Sequence, residues 1–311
     1  MSGLVVVGSV KGSPGVTTAA LALAAAWPAG QTEADPLLVE ADPSGGDVAG
    51  WYQLRGYPGL LSWAAAARGG AAPVDAHVWE LAGDVGLVAG PVEAGSARGA
   101  VAVLAQTGSV PEAASGRLIV ADCGRLDPAS PALPIAGAAG VLAVLVRPVP
   151  AELARVTARA GELTGAGRRD CVLILAGESA WPTGRVEDAV GLPVVGVLPH
   201  HPRAAAGVSG GRFGRGARRS QLLRAAADIA TTLDRRLAAQ PTGSSRALAP
   251  PPTVAPPGPP PLRAGVHPPA LPRSTFSLPQ RGEQRAAVSG WVPTVPDRAG
   301  PPPARHREGQ R

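Results

Sequence analysis

Hydrophobic and polar positions along residues 1–240 form blocks that predict strands alternating with helices. Several short runs are mostly apolar rather than apolar at every second position, which is typical of strands buried on both faces. These runs are Leu4–Gly8, Pro36–Ala41, Val78–Leu81, Val85–Ala89, Leu118–Ala121, Val141–Val146, Val172–Leu175 and Val194–Leu198. They predict an α/β fold with a doubly wound, mostly parallel sheet and helices on both faces.

Helical patterns fill most of the intervals between the predicted strands. They cover Thr17–Trp27, Leu60–Arg68, Ala97–Gln106, Ala151–Leu163, Arg185–Val190 and a last stretch from Ala217 to Ala239. In sheets of this type, ligands bind at the carboxyl ends of the strands. We therefore expect the functional residues to follow the strands directly.

The pattern ends near residue 240. Residues 241–311 hold 18 of the 35 prolines and show no helical or strand period. We predict two regions, a folded domain at 1–240 and a disordered, Pro- and Arg-rich tail at 241–311. The tail also carries nine arginines against three acids, a surplus equal to the net charge of +6 of the whole chain.

Two further observations bound the class of protein. The longest nearly apolar run, Leu133–Val146, has 14 residues, whereas a membrane span needs about 20. The two cysteines, Cys123 and Cys171, are too few for a disulfide framework or a zinc site of their own. With no signal peptide pattern at the N-terminus, we expect a cytoplasmic protein without a membrane span.

A glycine-rich turn follows the first predicted strand and contains the single lysine of the chain, Lys11, beside 28 arginines elsewhere. A compact ammonium is not interchangeable with a planar guanidinium, so a lone lysine suggests a specific site. The turn reads Lys11-Gly12-Ser13-Pro14-Gly15-Val16-Thr17-Thr18 and leads into a helix. Strand, glycine loop and helix form an arrangement that cradles phosphates with backbone N–H groups.

This turn resembles the deviant Walker A motif, K-G-G-x-G-K-[ST]-[ST], of the ParA/MinD family of P-loop ATPases. The resemblance implies that Lys11 is the family's signature lysine, which reaches across a dimer to the nucleotide of the partner. It also implies that Thr17 is a Mg²⁺ ligand and that Thr18 contacts phosphate. Gly12 and Gly15 match the glycines of the motif, and Pro14 occupies its variable position.

The turn departs from the family motif twice. Ser13 replaces a glycine, and Val16 stands where the lysine that binds the β- and γ-phosphates belongs. Because phosphoryl transfer depends on neutralising phosphate charge, we expect a weak or degenerate ATPase.

Three later segments extend the resemblance, which covers residues 2–239. Glu40-Ala41-Asp42-Pro43-Ser44-Gly45 is similar to switch I of the family, and Asp42 matches the carboxylate that positions the attacking water. Leu118–Gly124 is similar to the Walker B strand, in which Asp122 would hold Mg²⁺. The segment Gly191–Pro199 is similar to a late strand, after which Pro199 lies near the adenine.

The resemblance implies ATP and Mg²⁺ as cofactors and a homodimer in the ATP state. A P-loop without the second lysine resembles that of TadZ/CpaE-like proteins of Tad-type pilus systems. The leading hypothesis is therefore a nucleotide switch that positions a pilus or secretion ATPase. One alternative is a DNA-partitioning ATPase that uses the basic stretch Gly210–Arg219 to bind DNA non-specifically. Another is a scaffold that keeps the fold without turnover. In a purely structural interpretation, Asp42-Pro43 forms a turn at the end of a strand and Asp122 caps a helix.

Overall fold

The computed structural model describes residues 3–11, 14–28, 36–70, 73–81, 85–165, 170–210 and 219–240. Gly12 and Ser13 of the glycine-rich turn and the whole predicted tail, 241–311, lie outside these ranges. Within them, eight strands form one sheet. They are β1 Gly3–Ser9, β2 Leu37–Glu40, β3 Trp79–Leu81, β4 Val85–Val88, β5 Leu118–Arg125, β6 Val141–Val146, β7 Asp170–Ala176 and β8 Val194–Leu198.

The strand order across the sheet is β3-β4-β2-β5-β1-β6-β7-β8. Every neighbouring pair is parallel except β3 and β4, which pair antiparallel at one edge. The central strands are buried along their whole length, as in β6, where all six residues are buried. Burial on both faces explains why these strands read as continuous apolar runs.

Helices cover both faces of the sheet. They are α1 Val16–Ala25, α2 Val48–Trp51, α3 Leu60–Arg68, α4 Ala94–Thr107, α5 Ser109–Ala113, α6 Leu133–Gly137, α7 Pro150–Leu163, α8 Thr183–Val190, α9 Pro202–Ser209 and α10 Gln221–Ala238, with a 3₁₀ turn at Val74–His77. The predicted mostly parallel, doubly wound architecture is therefore confirmed.

Two hydrophobic layers hold these helices against the sheet. Alternate residues of β1 divide between them, so that Leu4 and Val6 face one layer while Val5 and Val7 face the other. The first layer contains α3, α4, α6, α7 and α8, with Trp63 among its largest buried side chains. The second contains α1 and α10, where Leu21 is completely buried. Both cysteines are buried free thiols.

Sequence patterns located the long elements closely and missed the short ones. Leu60–Arg68, Val141–Val146 and Val194–Leu198 have the predicted bounds. The missed helices, α2, α5, α6 and α9, have four to eight residues, too few turns to establish a helical period. The apolar run Leu133–Val146 is α6 followed by β6, both inside the core. No helix in the described ranges is long and apolar enough to cross a bilayer.

Candidate functional site

Three adjacent strands bring the candidate residues to one edge of the sheet. The strands β2, β5 and β1 are neighbours and run parallel, so their carboxyl ends point the same way. Lys11 lies two residues beyond β1, and Asp42 lies two residues beyond β2. Asp122 lies within β5, between Val7 of β1 and Glu40 of β2. The structure therefore places Lys11, Asp42 and Asp122 at a common edge.

The loop from Ser9 to Thr17, which we call the phosphate loop, is held at its start by a side-chain hydrogen bond. The buried Ser9 hydroxyl donates to the carbonyl oxygen of Lys11 over 2.7 Å, and the Lys11 side chain is exposed. Gly15 precedes α1 with φ of +91°, a backbone conformation that favours glycine. Its carbonyl accepts from the N–H of Ala19 over 2.9 Å and so begins the helix.

Val16 is the first residue of α1 and is only 7% exposed. Its side chain belongs to the hydrophobic layer under the helix, so it presents no polar group to the loop. Pro14, Thr17 and Thr18 are half-buried beside it. The position that carries a lysine in the family motif is thus part of the core in this chain.

Asp122 is completely buried and incompletely satisfied. Its Oδ1 accepts from the N–H of Gly124 over 2.9 Å, and the Thr17 hydroxyl also hydrogen-bonds the carboxylate. Its Oδ2 has no hydrogen-bond partner among the described residues. Burial raises the pKa of Asp122 to about 7, and the negative charges of Glu40 and Asp42 add to the rise.

A divalent cation fits this arrangement. A buried carboxylate oxygen without a partner is costly unless a proton or a cation satisfies it. Among the described residues, no three His, Cys, Asp or Glu side chains come together as a metal centre. A Mg²⁺ ion here would therefore take most of its ligands from water and phosphate, which is its usual habit in nucleotide sites.

The Asp42 carboxylate packs directly against Gly124. A Cβ atom on Gly124 would lie 2.1 Å from Cγ of Asp42, and the backbone there has φ of +55°. The Asp42 Oδ1 accepts from the N–H of Ser44 over 2.7 Å. The Ala41 N–H donates to the Asp122 carbonyl over 2.7 Å. Gly124, two residues after Asp122, thus leaves room for the Asp42 carboxylate.

Glu40 holds the segment that carries Asp42. Its buried carboxylate accepts three backbone N–H groups, from Asp47 at 2.6 Å, Val48 at 2.9 Å and Gly90 at 2.9 Å. Gly46 leaves room for it, because a Cβ there would lie 2.6 Å from Oε2. The sequence comparison placed Glu40 at the start of the segment similar to switch I and gave it no separate structural role. An acid inside an apolar strand was the signal for a more specific role.

Pro199 follows β8, which lies three strands from β1. It lines an open cavity of about 500 Å³ together with Val197, Gln221, Arg224, Ala225 and Asp228. None of these cavity-lining residues belongs to the described part of the phosphate loop. The predicted basic stretch Gly210–Arg219 lies mostly outside the described residues.

The chain is similar in structure to nucleotide-dependent ATPases. MinD from Pyrococcus horikoshii, solved with Mg-ADP, superposes with a TM-score of 0.61 at 20% identity, over 76% of this chain and 97% of that one. A ParA-family ATPase from Chlorobium tepidum gives 0.59 at 17% identity, over 74% and 99%. MinD in the MinC:MinD complex of Aquifex aeolicus gives 0.56 at 14% identity, over 75% and 95%.

No family model and no curated protein sequence matches the chain. At identities of 14–20% the structural similarity concerns the fold. The resemblance to the ParA/MinD family that the four motifs predicted is confirmed for the fold, since the described chain has the fold of the ParA and MinD ATPases.

Proposed function

We propose that this chain, with its ParA/MinD fold, binds a magnesium nucleotide at the edge formed by β1, β2 and β5. The observation that carries the proposal is Oδ2 of Asp122, which has no hydrogen-bond partner among the described residues and is buried beside the Thr17 hydroxyl at the end of the phosphate loop. A carboxylate oxygen that binds a cation in the loaded site would have no hydrogen-bond partner in the protein when the cation is absent. Bound Mg²⁺ would supply charge neutralisation for the phosphate groups.

The proposed roles follow the positions of the side chains. Thr17 and Asp122 hold the cation, the latter directly or through water, and backbone N–H groups around Gly15 and Thr18 bind phosphate. Asp42 orients the attacking water from its place beside Gly124. Lys11, exposed at the start of the loop, is the only lysine that can reach phosphate.

We expect the nucleotide to bind weakly. Val16 contributes no charge, and a charge-assisted contact to phosphate is worth about 1.5–3 kcal/mol. Its absence lowers the affinity by roughly one to two powers of ten relative to a loop with both lysines. Slow or absent hydrolysis follows from the same missing charge.

The finer proposal is a nucleotide switch. ATP closes a homodimer, Lys11 reaches the nucleotide of the partner, and the dimer positions a protein machine such as a Tad-type pilus or secretion ATPase. A Lys11→Ala variant should lose ATP-dependent dimerisation more completely than nucleotide binding. Light scattering with ADP and with ATP measures this difference. Equal dimerisation of the variant and the wild type would contradict the role given to Lys11.

The binding proposal is tested by calorimetric titration of the full chain with ATP, with and without Mg²⁺. We expect magnesium-dependent binding that Asp122→Asn abolishes. Asp234→Asn is the matched control, because Asp234 is a buried carboxylate on α10, away from the sheet edge. Equal loss in both variants, or Mg²⁺-independent binding, would count against the site.

A non-catalytic scaffold is the second candidate. The burial of Val16 in the core favours it, because a side chain so placed stabilises α1 rather than a phosphate. Phosphate release measured on the wild-type chain separates the two candidates. Binding without release supports the scaffold, and release that Asp42→Ala abolishes supports the ATPase.

A further inference from the structure

The proposed nucleotide site lacks the positive charge of the lysine that the family motif has at position 16, and two described arginines at the same edge of the sheet are candidates to replace it. Two of them leave the sheet on the strands that flank β1. Arg125 ends β5, opposite Ser9, and Arg147 directly follows β6. Both are half-exposed, with 53% and 51% of their side chains accessible. They differ in what holds them.

Arg125 is paired with a partner that is itself at the surface. Its Nε and Nη2 both bind Oδ2 of Asp127, which is 44% exposed. Surface pairs of this kind hold a side chain only weakly and contribute little energy. Arg125 is therefore not fixed in one direction.

Arg147 is held by a buried acid. Glu152, in the first turn of α7, has a side chain only 4% exposed. Its Oε1 accepts from Nε of Arg147 over 2.7 Å and forms an ion pair with Nη2, while its Oε2 accepts from the backbone N–H of Arg147 over 3.1 Å. One edge of the guanidinium is thus fixed to the protein.

The other edge of the guanidinium is open. A guanidinium has five N–H donors, and among the described residues Nη1 of Arg147 has no partner. Because Arg presents its donors as a rigid fork, an arginine fixed along one edge can still bind an anion along another. Phosphate oxygens are well suited to that geometry.

The register of the sheet brings Arg147 to the right edge. In the β1–β6 pair, Gly8 lies opposite Val144, one residue before the end of β1 and two residues before the end of β6. Lys11 and Arg147 each follow that pair by three residues, so both lie just beyond the carboxyl ends of adjacent parallel strands. The backbone of Arg147 is therefore at the same carboxyl edge of the sheet as the start of the phosphate loop and the proposed cation site.

We propose that Arg147 is a phosphate-binding residue of the nucleotide site and that Glu152 positions it, so that the fixed guanidinium replaces the charge absent at Val16. This inference rests on the proposed function. Its purely structural alternative is that Glu152 caps α7 and Arg147 merely neutralises the buried acid. The two accounts differ in what happens to phosphate affinity.

The test is a calorimetric titration of the full chain with Mg-ADP, followed by competition with magnesium pyrophosphate, which contains phosphate without a base. Arg147→Ala should weaken both ligands by about tenfold or more, the loss of one charge-assisted contact. Arg147→Lys keeps the charge but cannot bind Glu152 and phosphate through two edges, so it should weaken both ligands less than Arg147→Ala but measurably.

Two arginines serve as controls. Arg125→Ala removes the same charge from the same edge, and Arg236→Ala breaks an ion pair with Asp170, at the amino end of β7 and thus the opposite edge of the sheet. Both should change the affinity by less than about threefold, since neither loses a direct phosphate contact. Equal weakening by Arg125→Ala and Arg147→Ala would overturn the specific role of Arg147.

The outcomes separate the two proposals. Wild-type binding that Arg147→Ala leaves unchanged overturns the role of Arg147 and leaves the nucleotide site intact. A lower melting temperature with unchanged pyrophosphate affinity supports the structural alternative and also overturns the role. No binding by the wild type, with Mg²⁺ present, overturns both. If Arg147→Ala does not fold, Arg147→Lys and Glu152→Gln carry the same comparison, and unchanged affinity in both contradicts the inference.

Discussion

The two halves of the candidate site are built differently. The carboxylate side, which comprises Glu40, Asp42 and Asp122, is held by backbone hydrogen bonds and by close glycine contacts. The phosphate loop has a hydrogen bond at its start and a helix at its end, and its family lysine is replaced by the buried Val16. The carboxylate side has the acidic groups that the proposed cation requires, whereas the phosphate loop has a valine where the family motif has a lysine.

This difference indicates which property of the site is under stronger structural constraint. Glu40 has backbone partners for both of its carboxylate oxygens and so contributes to the fold without a ligand, whereas Oδ2 of Asp122 has no partner among the described residues and is costly until a proton or a cation satisfies it. A phosphate-binding lysine has no such structural need, and a valine in its place adds to the core. The predictions below examine each half separately.

The largest effect is expected from Glu40→Gln. The glutamine amide can replace only one carboxylate oxygen as an acceptor, so the N–H of Gly90 loses its partner. A buried donor left unpaired costs about 1–3 kcal/mol, and urea denaturation measures the change in the free energy of unfolding. Glu93→Gln is the control, since Glu93 also accepts two backbone N–H groups but is exposed to water. If both variants lose the same stability, burial is not what makes Glu40 important.

Gly124→Ala should affect both stability and binding. The new Cβ would displace the Asp42 carboxylate, and the left-handed backbone alone costs more than about 1 kcal/mol for a side chain. Gly99→Ala is the matched control, because Gly99 lies in the middle of α4 with open space around it. That substitution should stabilise the chain by up to about 1 kcal/mol. A Gly124→Ala variant as stable as the wild type would show that the contact with Asp42 is not restrictive.

A smaller effect is expected from pH in the absence of nucleotide. The pKa of Asp122 is about 7 in the folded chain and about 3.9 in an unfolded one. Between these values the folded state holds a proton that the unfolded state has released, so stability falls as the pH rises through this window. Glu40, whose pKa burial also raises, acts in the same direction.

The melting temperature should therefore decrease from pH 5 to pH 8. Asp122→Asn removes the titrating group, so its pH profile should be flatter than that of the wild type. Differential scanning calorimetry at low ionic strength measures both profiles. Parallel profiles would mean that Asp122 keeps its charge in the fold and that its carboxylate is better solvated than its burial implies.

The sequence predicted the long elements and the common edge of Lys11, Asp42 and Asp122, because both depend on local patterns. Apolar runs mark buried strands, and residues that follow parallel strands must meet at one edge. The sequence predicted a helix from Thr17 and treated Val16 as part of the turn, whereas the structure begins α1 at Val16 and buries its side chain in the core.

Contacts between residues far apart in the chain could not be predicted from the sequence. Gly90 donates to Glu40 across 50 positions, and no local pattern marks such a pair. Arg147 and Glu152 are closer in sequence, but the role proposed for their contact depends on the pairing of β6 with β1, which the sequence does not show. The position of Pro199 next to α10 likewise depends on packing between elements far apart in the chain.

The most direct test of the central claim is calorimetry of the wild type and Val16→Lys with Mg-ATP. The lysine stem is apolar and can follow the buried path of the valine while its ammonium reaches the loop. We expect weak binding by the wild type and binding tighter by roughly tenfold to hundredfold in Val16→Lys. Ala25→Lys, which adds the same charge at the far end of α1, should leave the affinity unchanged. If neither the wild type nor Val16→Lys binds nucleotide, this edge of the sheet is a structural relic and the account is wrong.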